Sequence, residues 1–141
     1  MLTNDKSIPL AFSGAIAGNH NDLYKVVPTV RRMLLCLRAA GMVLRKKIFI
    51  ADAGFDAKEL RRLLSRVGMR ALIKENPRNT KRPRCGRKKY FDEALYKTRY
   101  VNERSFAWMD SFRTLLIRFD TTTESWLNWH YLAAFLLIAK V

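Results

Sequence analysis

The spacing of hydrophobic positions changes several times along the chain, and each change predicts an element. Ile8 to Ser13 reads as a short strand, with Pro9 near its start, where proline is tolerated. Gly14, Gly18 and Asn19 predict a turn region. Val30, Met33, Leu34 and Leu37 then fall at helical spacing, which predicts a helix within 22–40. Pro28 either kinks that helix or opens its second part, and Gly41 is its stop. Ile48-Phe49-Ile50-Ala51 is unbroken apolar sequence after two lysines, as in a strand buried on both faces.

Asp56 with Glu59 three residues later has the form of a capping box and predicts a helix start. Leu60, Leu63, Leu64 and Val67 line one side of that helix, and Gly68 stops it. Met69 to Lys74 is a further strand candidate. The stretch 76–89 contains Pro77 and Pro83 and reads as a loop. A long helix is expected over 92–119. Thr121 with Glu124 is expected to cap a last helix that runs to 139. Strands that alternate with helices predict an α/β protein with a partly parallel sheet.

Composition narrows the class. The 141 residues make one domain's length, and 49% apolar residues are too many for a disordered chain. Lys plus Arg is 27 against 12 Asp plus Glu, a net charge of +15, which points to a polyanionic partner and above all to nucleic acid. Two cysteines, Cys36 and Cys85, make neither a disulfide scaffold nor a zinc site and fit a reducing compartment. The N-terminus lacks the basic and apolar pattern of a signal peptide. The apolar stretch from Trp126 to Ala139 is interrupted by Asn128 and His130 and falls short of the roughly 20 residues of a membrane span, so it predicts a buried helix. A cytoplasmic protein with no membrane partner is expected.

Charge is concentrated. Residues 31–50 hold six basic side chains and no acid. Between 74 and 89 lie Lys74, Arg78, Lys81, Arg82, Arg84, Arg87, Lys88 and Lys89 against the single acid Glu75. Such a stretch neutralises phosphates without reading sequence. Arg113 and Arg118 extend the basic surface if they share its side.

Candidate chemistry centres on two places. Asp52 closes the most apolar strand, where α/β sheets gather functional groups; it either binds a metal, acts as a base or caps the next element. Tyr96, Arg99 and Glu103 are spaced i, i+3, i+7 and share a face of a continuous helix. There Glu103 is a ligand that Arg99 orients, or the two form an ordinary surface pair. Gly18-Asn19-His20-Asn21-Asp22 is a polar cluster with too few ligands for a metal and reads as a turn leading into a helix N-cap. Phe106, Trp108, Phe112, Trp126 and Trp129 are expected in the core.

Several blocks occur in a characteristic order: Pro9-Leu10-Ala11, Ser13-Gly14, Gly18-Asn19-His20-Asn21-Asp22, Ile48-Phe49-Ile50-Ala51-Asp52-Ala53-Gly54-Phe55-Asp56, and Tyr96-x-x-Arg99-x-x-x-Glu103-Arg104. Phe106-Ala107-Trp108 and Phe112-Arg113-x-Leu115 follow. Together they resemble the C-terminal catalytic part of a bacterial insertion-sequence DDE transposase of the insertion-sequence-four and -five type. The resemblance implies an RNase H-like (retroviral-integrase-like) mixed sheet with flanking helices, and three carboxylates that hold two Mg²⁺ or Mn²⁺ ions. It places the second Asp at Asp52 and the Glu at Glu103. The first Asp belongs just before the Pro9-Leu10 strand. A gapless register puts Asn4 there, and a turn shorter by one residue puts Asp5 there; Asp5 is the candidate. A lysine often found seven residues after the Glu is replaced by Asp110.

The resemblance also implies that residues 1–141 are an N-terminally truncated catalytic domain, without the first strand and without an upstream DNA-binding segment. The expected activity is metal-dependent DNA cleavage and strand transfer. The expected partners are transposon ends, target DNA, and a second copy or an upstream-frame product, in the cytoplasm with the nucleoid. The alternative is an inactive remnant that only binds DNA through its basic loop. A small basic RNA-binding protein of the ribosomal kind is the third reading, disfavoured by the apolar strands and last helix.

Overall fold

The structure, a computed structural model, describes residues 1–15, 19–20, 23–77, 89–117 and 119–139. It divides into two compact units. One is Met1–Ala17 with Tyr100–Val141, and the other is Gly18–Arg99. Both mix strands and helices, so the protein is α/β.

The first unit opens with an antiparallel hairpin, β1 (Leu2–Thr3) and β2 (Pro9–Ala11), paired Leu2 to Ala11 and Thr3 to Pro9. Its turn is built by Asn4. The Asn4 side-chain oxygen accepts from the backbone N–H groups of Lys6 (3.0 Å) and Ile8 (2.9 Å), a side chain standing in for a missing strand partner. Ser7 sits in the left-handed region at φ 67° and is fully buried. The strand expected over 8–13 is thus shorter, and its partner comes from the first residues of the chain.

The continuous helix expected over 92–119 is broken into pieces: α3 (Glu93–Lys97), a 3₁₀ turn (Thr98–Tyr100), α4 (Val101–Asp110) and α5 (Arg113–Leu116). Hydroxyl side chains mark the breaks. Thr98 Oγ1 donates to the Leu95 carbonyl at 2.7 Å, and Ser111 Oγ donates to the Trp108 carbonyl at 2.6 Å. Such bonds take carbonyls that a continuing helix would use. Phe112 then turns extended, at φ −88° and ψ 107°.

The last helix, α6 (Thr123–Ala139), starts one residue later than expected. Thr122, not Thr121, caps it, accepting from the Ser125 N–H at 3.1 Å. Asp120 accepts from Ser125 Oγ and from the Trp129 indole N–H.

The first unit's core is Met109, Leu115 and Ala133, with Met1, Phe12, Phe112 and Leu137 packed around it. Two expectations about burial fail here. Of α6 only Ala133 and Ala134 are buried, while Trp129, Tyr131, Leu132, Phe135, Leu136 and Ile138 are exposed. Phe106 and Trp108 are exposed as well. A helix apolar on every side presents more faces than one small neighbouring layer can cover. No described helix is long and apolar enough to cross a membrane.

The second unit begins with α1 (Val26–Ala39), which buries Val26, Val30, Met33, Leu34 and Leu37, the spacing read from the sequence. Its N-cap is Lys25, with no side-chain cap bond, rather than a residue of the 18–22 cluster. Pro28 stands in the first turn, where its missing N–H costs no helical bond, so it does not kink the helix. Gly41, at φ 80°, follows as the stop.

β3 (Ile48–Ala51) pairs in parallel with β4 (Arg70–Ile73), Ile48 opposite Arg70 through Ala51 opposite Ile73. Between them runs α2 (Lys58–Val67), which packs on β4 and on α1. Leu60, Leu64 and Leu72 are fully buried. Gly68 ends α2 at φ 80°, and a β-carbon there would meet Arg45 Cγ at 3.1 Å. Contrary to expectation, β3 is not buried on both faces. Only Phe49 of its four residues is buried, because this described sheet has just two strands.

Candidate functional site

Asp52 stands where the strand pattern put it, immediately after the last residue of β3. A 3₁₀ turn (Ala53–Phe55) begins after it, and Asp52 occupies the N-cap position without making a side-chain cap bond. Its carboxylate instead accepts from Arg99 Nη1 at 2.9 Å. The side chain is 59% exposed, and Oδ2 has no hydrogen bond. Arg99 lies over the Tyr96 ring at 5.7 Å, and Tyr96 packs on Phe91.

Arg99 therefore holds Asp52, not Glu103. The expected Arg99–Glu103 pair requires one helix from 96 to 103, and the 3₁₀ turn interrupts it. Tyr96 sits in α3, Arg99 in the 3₁₀ turn and Glu103 in α4, so their shared face is lost.

Asp5 and Glu103 belong to the other unit. Asp5 is exposed in the hairpin turn, and Glu103 is exposed in the first turn of α4. Two hydrogen bonds fasten the elements that carry them. Thr3 Oγ1 donates to Asn102 Oδ1, and Ser105 Oγ donates to the Ser7 carbonyl. Asn102 and Ser105 flank Glu103, and Thr3 and Ser7 flank Asp5. Asn4, the other residue for the first acidic position, is engaged in closing the turn.

Asp52, Glu103 and Asp5 are hard oxygen donors exposed to solvent, the chemistry that Mg²⁺ takes. Among the described residues no three His, Cys, Asp or Glu side chains are gathered into a metal-binding group.

Asp56 was expected to cap α2 and does something else. The N-cap is Ala57, and Asp56 precedes it, 7% exposed. Its Oδ1 accepts from Arg61 Nε at 2.8 Å, and its Oδ2 accepts from the Asn76 backbone N–H at 3.1 Å. Lys89 Nζ lies 3.6 Å from Oδ1 and 2.9 Å from Glu75 Oε1. Arg61 also donates to the Ile73 carbonyl at the end of β4, at 2.7 Å. Burial alone would favour the neutral acid. The Arg61 and Asn76 hydrogen bonds and the charges of Arg61 and Lys89 outweigh it, so the Asp56 pKa lies below its ordinary value of 3.8. Nothing in the sequence marks this arrangement except an Arg five residues after the Asp, a spacing outside the usual helical pairs.

Of the basic stretch, Lys74 and Lys89 are described, and Lys74 is exposed just after β4. Arg78, Lys81, Arg82, Arg84, Arg87 and Lys88 lie outside the described residues, as does Asp22 of the polar cluster. His20 stacks on Tyr24, with ring centroids 3.7 Å apart.

Comparison with known proteins supplies the family. The model of the family described as "Transposase DDE domain" matches residues 1–138. The chain belongs to the DDE transposase family. Over 127 residues it is 30% identical to a Burkholderia cepacia protein named as a transposase for insertion sequence element IS402. That alignment takes in 88% of this chain and 54% of the relative, so the chain spans about half the length of the curated relative it matches. No solved structure matches the chain. The insertion-sequence transposase resemblance read from the ordered blocks is thereby borne out.

Proposed function

We propose that residues 1–141 form a catalytic domain of RNase H-like type that acts in DNA transposition by metal-dependent cleavage and strand transfer. The observation that supports it most is Asp52, an exposed carboxylate at the carboxyl end of β3, held by the arginine of the Tyr96-Arg99-Glu103 block. Two sequence blocks that lie far apart in the chain meet there.

In this reading Asp52, Glu103 and Asp5 hold Mg²⁺ or Mn²⁺. A pair of such ions supplies an activated oxygen nucleophile and stabilises the leaving oxygen of a phosphodiester. Arg99 fixes one Asp52 oxygen and leaves the other open. Lys74, Arg78, Lys81, Arg82, Arg84, Arg87, Lys88 and Lys89 hold the DNA backbone by charge. The partners are transposon ends and target DNA, and the protein works in the bacterial cytoplasm.

The test is nicking of supercoiled plasmid by the full chain in Mg²⁺ or Mn²⁺. Nicking is expected to need the divalent ion and to vanish in Asp52→Ala and in Glu103→Ala. Activity that persists in both variants overturns the assigned roles. Salt-sensitive DNA binding without any metal-dependent nicking in the unaltered chain would support the second reading, a remnant that only binds DNA.

A further inference from the structure

Asp56 has no part in the chemistry proposed above, yet it is the most deeply paired acid in its surroundings. Its partners come from both sides of the basic stretch. Asn76, whose N–H reaches Oδ2, stands at the near end, and Lys89, whose ammonium lies 3.6 Å from Oδ1, stands at the far end. Lys89 also bonds Glu75, next to Asn76. A further tie joins the same two flanks, with Arg70 of β4 over the ring of Tyr90 at 5.6 Å. Arg61 holds Asp56 from α2 and binds the last carbonyl of β4, so the anchor rests on a buried helix and strand.

We propose that Asp56 is a positioning residue that clasps the two flanks of the basic stretch and so presents its cations to the DNA backbone. The physical case is entropic. A segment closed at both ends on one carboxylate loses conformational freedom once, on folding, instead of each time it meets DNA. The choice of group follows as well. A buried carboxylate can accept from a guanidinium, a backbone N–H and an ammonium together, which a neutral amide cannot match in strength. The proposal rests on the reading that the basic stretch contacts DNA.

The experiment compares the full-length protein with Asp56→Asn and Lys89→Met, with Lys88→Met as the charge-matched control. Lys89→Met keeps the Asp56–Arg61 pair and so keeps the fold if Asp56→Asn does not. Limited trypsin digestion reads the clasp, and DNA affinity across a salt series reads the presentation. Cleavage after Arg78, Arg84 and Arg87 is expected to quicken about fivefold or more in both clasp variants, since local opening sets susceptibility. Lys88→Met leaves those rates unchanged. DNA affinity in Asp56→Asn is expected to fall, with a shallower salt slope. General destabilisation would instead lower the binding fraction at an unchanged slope.

Unchanged cleavage in both clasp variants overturns the proposal. So does faster cleavage with the wild-type salt slope. A separate variant, with Lys81, Arg82, Arg84 and Arg87 all changed to Ala, isolates the underlying reading. If its DNA affinity equals the wild type's, the basic stretch is not the DNA contact, whatever the trypsin assay shows of the clasp.

Discussion

Asp52 and Asp56 stand four residues apart on the same short connection between β3 and α2, and their surroundings are opposite. The Asp52 side chain is 59% exposed and has one charged partner, Arg99, itself 44% exposed. The Asp56 side chain is 6% exposed and is bonded by Arg61 and a backbone N–H, with a lysine nearby. An exposed ion pair is worth little to stability, because water screens it and two long side chains lose freedom. A buried carboxylate has no such alternative; take one partner away and the rest is left uncompensated. The loop thus separates two tasks. Asp52 keeps an oxygen open for a ligand, and Asp56 spends all its bonding capacity on structure.

The largest effect that sharpens this contrast is in stability. Asp56→Ala is expected to cost about 3 kcal/mol, since it strands Arg61 beside a buried site. Asp52→Ala is expected to cost less than about 1 kcal/mol. Urea denaturation followed by circular dichroism measures both, and equal losses would erase the distinction.

A smaller effect concerns acid. The folded-state pKa of Asp56 is depressed, so the native state holds its proton less readily than the unfolded chain. Its contribution is fully present above the unfolded value, near 3.8, and is lost as pH falls from there through the folded pKa. Stability should therefore drop below pH 4 in the wild type, and that part of the drop should be absent in Asp56→Asn. Denaturation series between pH 2.5 and 6 provide the comparison.

Smaller again is Arg99→Met, which frees Asp52. It is expected to change stability by less than about 0.5 kcal/mol while slowing plasmid nicking, because the carboxylate loses its orientation. Nicking at the wild-type rate would remove Arg99 from the site. The smallest stability effect is at Asp5. Asp5→Asn lies on an exposed turn and should stay within about 0.5 kcal/mol of wild type, yet nicking should be lost if it is the third carboxylate. Asn4→Ala is the counterpart. It removes the acceptor of two backbone N–H groups and should cost about 1 kcal/mol.

Much of the second unit was legible in advance. The buried residues of α1 and α2, the strand Ile48–Ala51 with Asp52 after it, and the glycine stops at Gly41 and Gly68 all follow from local pattern. The 92–119 region was not, because its apolar positions suit one long helix. The breaks come from hydroxyls and an extended Phe112, whose effects are weak one at a time. The exposed face of α6 was equally hidden. Hydrophobicity says that a face would gain from burial, not that a neighbour exists to bury it.

By itself, then, the sequence determined the α/β class, the family, the helical core stripes and the two aspartates of the β3–α2 connection. Those rest on short-range periodicity and on the order of blocks along one chain. Only the tertiary structure decided that Arg99 answers Asp52 rather than Glu103, and that Asp56 binds Asn76 and Lys89 instead of capping its helix. Such pairings join residues some 20 to 50 positions apart, and a charge takes whichever opposite charge folding brings nearest, at a depth where solvent does not screen it.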